Sequence, residues 1–173
     1  MMTINEKYIQ KCSTISDINE NLPHLKEYSS KCDFVVEMGV RSIVSTWGLL
    51  AGHPKKMLSI DIIHPSTHGV DINEVYSICQ NEGIDFNFLQ ADTLQVIIPE
   101  CDMLFIDTLH TYDHLKKELS LHSSKVKKYL AFHDTEHCPE VLLAIVDFLQ
   151  ENKNWTVDLH KTNNNGILFL KKR

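Results

Sequence analysis

Four short apolar runs in this 173-residue chain close on a carboxylate. Phe34-Val35-Val36 leads into Glu37 and Met57-Leu58-Ser59-Ile60 into Asp61. Met103-Leu104-Phe105-Ile106 leads into Asp107, and Tyr129-Leu130-Ala131-Phe132 into His133-Asp134. Runs of this length and composition read as buried parallel strands. In an open parallel sheet, ligands bind beyond the carboxyl ends of the strands, near the point where strand order reverses. Any one of these acids can serve only as a helix N-cap. Four at one sheet edge make a functional rim.

The first turn narrows the ligand. It reads Glu37-Met38-Gly39-Val40-Arg41-Ser42-Ile43-Val44-Ser45-Thr46. A dinucleotide site needs G-x-G-x-x-G, so that bare backbone approaches a pyrophosphate. Here there is one glycine, and the acid repels a pyrophosphate but suits an ammonium or sulfonium group. A nucleotide-dependent oxidoreductase is therefore disfavoured. Asp61, ending the second run, is placed to accept hydrogen bonds from both ribose hydroxyls. A nucleoside with a cationic tail fits, which means S-adenosylmethionine rather than NAD.

The later runs carry the reactive end. Adjacent strands would bring Asp107 and His133-Asp134 to roughly 5 Å from one another. Two carboxylates and an imidazole there suit a divalent metal with oxygen-rich coordination. The alternative is that Asp134 caps the next segment and His133 is a buried, hydrogen-bonded ring. His110, three residues after Asp107, has an ordinary pKa near 6.5 and suits a general base near neutral pH. It can equally be a structural histidine at a helix end. Of the ten histidines, His24, His53, His114, His122 and His160 fall on positions expected to be exposed.

The elements that must hold these residues alternate. Strands are expected at 34–36, 57–61, 86–89, 103–107 and 129–132. An apolar helix should cover 44–50. Asp71 should cap a helix with Ile72, Val75, Tyr76 and Cys79 on one face. Tyr112, Leu115 and Leu119 mark another buried face, with Lys116, Lys117 and Glu118 outside. Pro139 opens a helix striped by Val141, Leu142, Ile145, Phe148 and Leu149. The segments 155–160 and 167–170 alternate around Asn163-Asn164-Asn165-Gly166, as in a closing antiparallel hairpin. Residues 1–31 read as a peripheral helical extension, capped near Ser16 or Asp17 and interrupted by Pro23, and 32–173 as one domain. The whole is a three-layer α/β sandwich.

Composition excludes several classes. A net charge of −6 argues against binding through nucleic-acid phosphates. No apolar run is long enough to span a bilayer and no signal peptide is visible, so no membrane partner is expected. Cys12, Cys32, Cys79, Cys101 and Cys138 form no C-x-x-C pair, which points to a reducing, cytoplasmic setting.

These residues also carry a resemblance. Glu37-x-Gly39 with Ser45-Thr46, then Leu58-Ser59-Ile60-Asp61, resembles motifs I and II of class I S-adenosylmethionine-dependent methyltransferases. Phe105-Ile106-Asp107-x-x-His110-Thr111-Tyr112 and Phe132-His133-Asp134-Thr135 resemble later motifs of the cephalosporin hydroxylase-like and macrocin O-methyltransferase-like branch. The resemblance implies a Rossmann-like, seven-stranded, mostly parallel sheet in the order 3-2-1-4-5-7-6 with an antiparallel last strand. It implies that Glu37 and Gly39 face the methionine moiety and that Ser45 helps hold the cofactor carboxylate. Asp61 would hold the ribose, Ile62 would pack on adenine, and Asp92 would take the adenine amino group. Asp107 and Asp134, with His133 as third ligand, would hold Mg²⁺ or Mn²⁺. One departure is Ile43, which stands where the motif has a second glycine and limits close backbone approach. Arg41 beside it can pair with the cofactor carboxylate.

The expected function is methyl transfer from S-adenosylmethionine to a hydroxyl of a small molecule, by preference a sugar or polyol. His110 would be the base, and a homo-oligomer partner could complete the pocket. The alternative is a degenerate methyltransferase-fold domain acting as a binding or interaction module.

Overall fold

Pleating divides the side chains of each strand between two faces, and in the central strands both faces are mostly apolar. The computed structural model describes residues 2–173. Its strands are β1 (Phe34–Met38), β2 (Lys56–Asp61), β3 (Asp85–Gln90), β4 (Cys101–Ile106), β5 (Val126–His133), β6 (Trp155–Lys161) and β7 (Ile167–Lys172). They form one sheet in the order β3-β2-β1-β4-β5-β7-β6. Strands β1 to β5 pair in parallel, whereas β7 runs antiparallel to both β5 and β6. The expected order and the antiparallel end are therefore present. Val35, Met57, Met103, Phe105, Ala131 and Phe169 point to one face. Val36, Leu104, Ile106, Leu130, Phe132 and Leu168 point to the other. Burial on both sides explains why the central strands read as continuous apolar runs, whereas the edge strands β3 and β6 are largely exposed.

Helices cover both faces. Helices α1 (Ile4–Ser13), α2 (Leu22–Ser29), α3 (Val44–Leu50) and α4 (Ile72–Asn81) serve the first face, α5 (Tyr112–His122) and α6 (Pro139–Glu151) the second. Asp71 caps α4 as expected, its side chain accepting from the Asn73 amide.

The N-terminal segment differs from its expected form. Helix α1 starts with a capping box between Thr3 and Glu6, well before Ser16. Pro23 does not interrupt a helix; it lies in the first turn of α2, where its missing N–H has no partner to lose. Ile4, Leu22 and Leu25 are fully buried in the core of the first face, so these helices are part of a layer and not peripheral. Among the described residues, no helix is long and apolar enough to cross a membrane.

Strand register positions the site. Glu37 of β1 lies beside Phe105 of β4, and Ile106 beside Phe132 of β5. Asp107 and His133 thus leave adjacent strands at the same level. Gly39 continues β1 into the turn with φ +86°, and a Cβ there would collide with the Asp107 carbonyl oxygen. Only glycine lets the two strand ends approach this closely.

Candidate functional site

Two hollows open at the carboxyl ends of the central strands. The larger, about 520 Å³, is lined by Gly39, Asp61, Ile62, Asp92, Asp107 and His114, among others. The smaller, about 160 Å³, reaches from Arg41 and Ser45 to His110 and Asp134 and is walled by Asp17 and Ile18. Gly39, Asp61, Asp107 and Thr108 border both. The hollows straddle β1 and β4, where the sheet order reverses.

Glu37 does not face either hollow. It is the fourth residue of a five-residue strand, so the pleat turns it under α3, and it is fully buried. Ser45 Oγ donates to its Oε1 at 2.7 Å; Thr46 Oγ1 and Ser59 Oγ donate to its Oε2 at 2.9 and 2.6 Å. Ser45 borders the smaller hollow, but its hydroxyl is committed to Glu37 and not aimed at a cofactor carboxylate. Burial pushes the Glu37 carboxyl up to about 7, against the lowering effect of the three hydroxyls. Glu37 is a polar pin between β1, β2 and α3. Sequence reasoning misses the roles of Thr46 and Ser59 in this cluster; the only local sign is the adjacency of hydroxyl residues to a strand-end acid.

The first turn is folded tightly on itself. Arg41 and Ile43 have φ of +43° and +57°, unusual for residues with a Cβ. Ile43 is the residue before α3 and is buried in the core, so its side chain is directed away from a ligand. The Asp61 carboxylate draws the turn in: Oδ2 accepts from the Val40 and Arg41 amides at 2.7 and 2.9 Å, and Oδ1 from the Ile63 amide at 2.8 Å. Arg41 is not free for a cofactor carboxylate, because its guanidinium pairs with both oxygens of Asp17 at 3.0 and 2.8 Å. Ile62 is 63% exposed on the wall of the larger hollow, and Asp92 shares that wall. Asp92 Oδ1 also accepts from the Leu94 amide at 2.9 Å.

Behind this wall lies a feature that contradicts the expected exposure of α5. Glu118 is fully buried. It accepts from Thr93 Oγ1 at 2.5 Å and from Thr108 Oγ1 at 2.8 Å, and His114 Nε2 lies 3.2 Å from its Oε1. His122, also expected outside, is fully buried and donates from Nε2 to the Thr93 carbonyl at 2.9 Å. Glu118 and His122 follow Leu115 by three and seven residues and share the buried face with Leu119, so only their polarity pointed outward.

At the other end, Asp107, His110 and Asp134 converge. His110 Nε2 lies 3.1 Å from Asp107 Oδ1 and 3.0 Å from Asp134 Oδ2. One ligating atom from each of the three residues falls within 4.8 Å of the others. Hydrogen bonds to Asp107 and Asp134 push the His110 imidazole up to about 9, so it holds a proton at neutral pH. An imidazole in that state is not a ready base. His133 is the expected third metal ligand, but its nitrogens are otherwise engaged. Nε2 donates to the carbonyls of Asp17 and Asn164 at 3.0 and 3.3 Å. Nδ1 faces Asp107 Oδ1 and Asp134 Oδ2 at 3.4 and 3.3 Å. Carbonyls and carboxylates only accept, so the ring carries both protons. Burial lowers its pKa, but the two carboxylates outweigh that and raise it to about 10. The same partners hold Asp107 and Asp134 below the usual carboxylate range despite their burial.

No family model matches the sequence, and no curated protein matches it. Solved structures share the fold. The S-adenosylhomocysteine-bound methyltransferase PaMTH1 of Podospora anserina superposes with a TM-score of 0.66 at 12% identity, over 98% of this chain and 87% of that one. A Bacillus cereus O-methyltransferase in complex with S-adenosylhomocysteine gives 0.63 at 13% identity, over 98% and 90%. A ribosomal protein L11 methylase from Lactobacillus delbrueckii subsp. bulgaricus gives 0.61 at 16% identity, over 88% and 79%. The chain therefore has the Rossmann-like methyltransferase fold. A fold shared by a ribosomal protein methylase and an O-methyltransferase does not specify the acceptor.

Proposed function

We propose that this protein transfers the methyl group of S-adenosylmethionine to a hydroxyl oxygen of a small molecule, with a divalent cation assisting. One observation carries the reading: the larger hollow, bordered by Asp61, Ile62 and Asp92, runs through Gly39 and Asp107 into a smaller one that ends on Asp107, His110 and Asp134. A nucleoside in the first would direct its sulfonium toward carboxylates in the second. The one lone pair that Asp61 keeps, on Oδ1, accepts from a single ribose hydroxyl and not from both; Ile62 packs on the base, and Asp92 accepts from its amino group. Transfer is an in-line displacement: the acceptor oxygen bonds the methyl carbon as its hydroxyl proton passes to solvent, the carbon–sulfur bond breaks, and S-adenosylhomocysteine leaves. The preference for a sugar or polyol acceptor rests on the likeness of the Phe105–Tyr112 block to one methyltransferase branch.

The donor set fits a cation. Two carboxylates and an imidazole are ligands of Mn²⁺ or Mg²⁺. Two ligands about 2.1 Å from an ion and at right angles stand about 3.0 Å apart; His110 Nε2 stands 3.1 and 3.0 Å from the two carboxylate oxygens. Asp107, His110 and Asp134 would hold the ion, so this set replaces the expected one with His133. Bound there, a divalent cation lowers the pKa of an acceptor hydroxyl. His110 then acts as a ligand rather than a base, and its proton is lost on loading. His133, protonated and buried, offsets the charge of the two carboxylates and keeps their lone pairs oriented.

A second reading, a fold that binds no cofactor, is favoured by two features. Asp61 already takes three backbone amides, and Arg41 is latched to Asp17. Isothermal titration with S-adenosylhomocysteine, with and without Mn²⁺, separates the two. The enzyme reading expects binding in the wild type and in Asp107→Ala, with the Mn²⁺ heat lost only in the variant. Absence of binding under both conditions supports the second reading.

A further inference from the structure

The hairpin turn Asn163-Asn164-Asn165-Gly166 does more than reverse the chain. Strand β7 is antiparallel to β5 with Ile167 opposite His133. The residues before Ile167 therefore lie against Asp134, Thr135 and Glu136. Gly166 makes this possible: with φ +89°, it lies so close that a Cβ would be 2.5 Å from Thr135 Oγ1 and 2.7 Å from the Glu136 amide. The Asn165 carbonyl accepts from the Glu136 and His137 amides at 2.9 and 3.2 Å. The Asn165 backbone is thus fixed, in the left-handed region at φ +67°. From there its Nδ2 donates to Asp134 Oδ1 at 2.9 Å.

That bond divides the work of one carboxylate. Asp134 Oδ1 is held by Asn165, while Oδ2 faces His110 and His133. Asp134 itself has φ +57°, a conformation that disfavours a side chain and persists only where its surroundings fix it. The rest of the turn holds the N-terminal wall of the smaller hollow. Asn164 Nδ2 donates to the Ser16 carbonyl at 2.8 Å and Asn163 Nδ2 to Glu20 Oε2 at 2.7 Å.

We infer that Asn165 is a positioning residue for the cation site, locking the Asp134 carboxylate so that Oδ2 is presented beside Asp107 and His110. This rests on the proposed use of those three residues as metal ligands. Partners that orient a ligating carboxylate typically change metal affinity 10–100-fold when removed.

The test is Mn²⁺ affinity, read by electron paramagnetic resonance of free Mn²⁺ on the full-length protein without cofactor. Asn165→Gly removes the donor and keeps the left-handed backbone accessible; Asn163→Gly loosens the same turn without touching Asp134. Thermal melts of both variants report folding. Asn165→Gly should weaken Mn²⁺ binding at least tenfold, with Asn163→Gly within twofold of wild type. Equal affinities in wild type and Asn165→Gly overturn the inference and leave the metal site standing, as does equal weakening in both variants. A wild type that binds no Mn²⁺ at millimolar concentration overturns the metal reading and this inference with it.

Discussion

Replacing Glu37 by glutamine should remove a pH dependence of folding stability that the wild type carries between about pH 4.5 and 7. The carboxyl is fully buried, and burial raises it from an ordinary 4.5 to about 7. In that window the folded protein binds a proton that the unfolded chain releases. Stability from this group is therefore present at and below pH 4.5, falls as pH rises, and is lost above 7. At 1.36 kcal/mol per unit, the total is about 3 kcal/mol. The other shifted groups of the site act elsewhere. His110 and His133 are raised above 6.5, so their contribution falls only above that value. Asp107 and Asp134 are lowered below 3.8, so theirs falls only in more acid solution. The assay is urea unfolding of wild type and Glu37→Gln at several pH values, read as the difference in unfolding free energy. That difference should shift by about 3 kcal/mol against the wild type on going from pH 4.5 to 7.5. A difference constant to within about 0.5 kcal/mol would show that Ser45, Thr46 and Ser59 keep the carboxylate ionised throughout, and would refute the reasoning.

Three further outcomes rest on packing. Gly39→Ala drives a methyl group into the Asp107 carbonyl oxygen at a φ of +86°, so it should cost about 3 kcal/mol or more and abolish S-adenosylhomocysteine binding by calorimetry. Glu118→Ala strips Thr93 and Thr108 of their acceptor and leaves a void, and should lower stability by about 3 kcal/mol in denaturant melts; unchanged melts would mean the cluster is not closed in solution. Tyr28 donates to Asp158 at 2.6 Å, so Tyr28→Phe should cost about 1.5 kcal/mol, measured the same way.

Much of the fold is legible locally. Strand positions come from runs such as Met103–Ile106, because a strand buried on both faces is mostly apolar and admits a polar residue only where a partner meets it, as Ser59 meets Glu37. Asp71 and Pro139 mark helix starts through chemistry confined to one turn of backbone. The rim residues Asp61, Asp107 and Asp134 can be found because strand ends and parallel topology put them on one edge. Sheet order is different. It is expected from a family likeness, since periodicity within a strand says nothing of its neighbours.

Which atom each rim residue offers, and to what, is decided by packing across the chain. Glu37 reads as a strand-end acid, yet one more residue of strand turns its side chain under α3 and buries it. His110 and His133 are alike in sequence as histidines near an aspartate. The carbonyls of Asp17 and Asn164, brought in by the N-terminal segment and the β6–β7 turn, occupy Nε2 of one ring and leave Nε2 of the other to the carboxylates. Glu118 and His122 are polar residues on the face that Leu115 and Leu119 mark as buried, and Thr93 and Thr108 supply the partners that let them stay there. Short-range pattern sets where elements begin and which face is apolar, because those depend on backbone geometry over a few residues. Ligand roles depend on donors and acceptors up to 116 residues away, and only the assembled sheet brings those to about 3 Å.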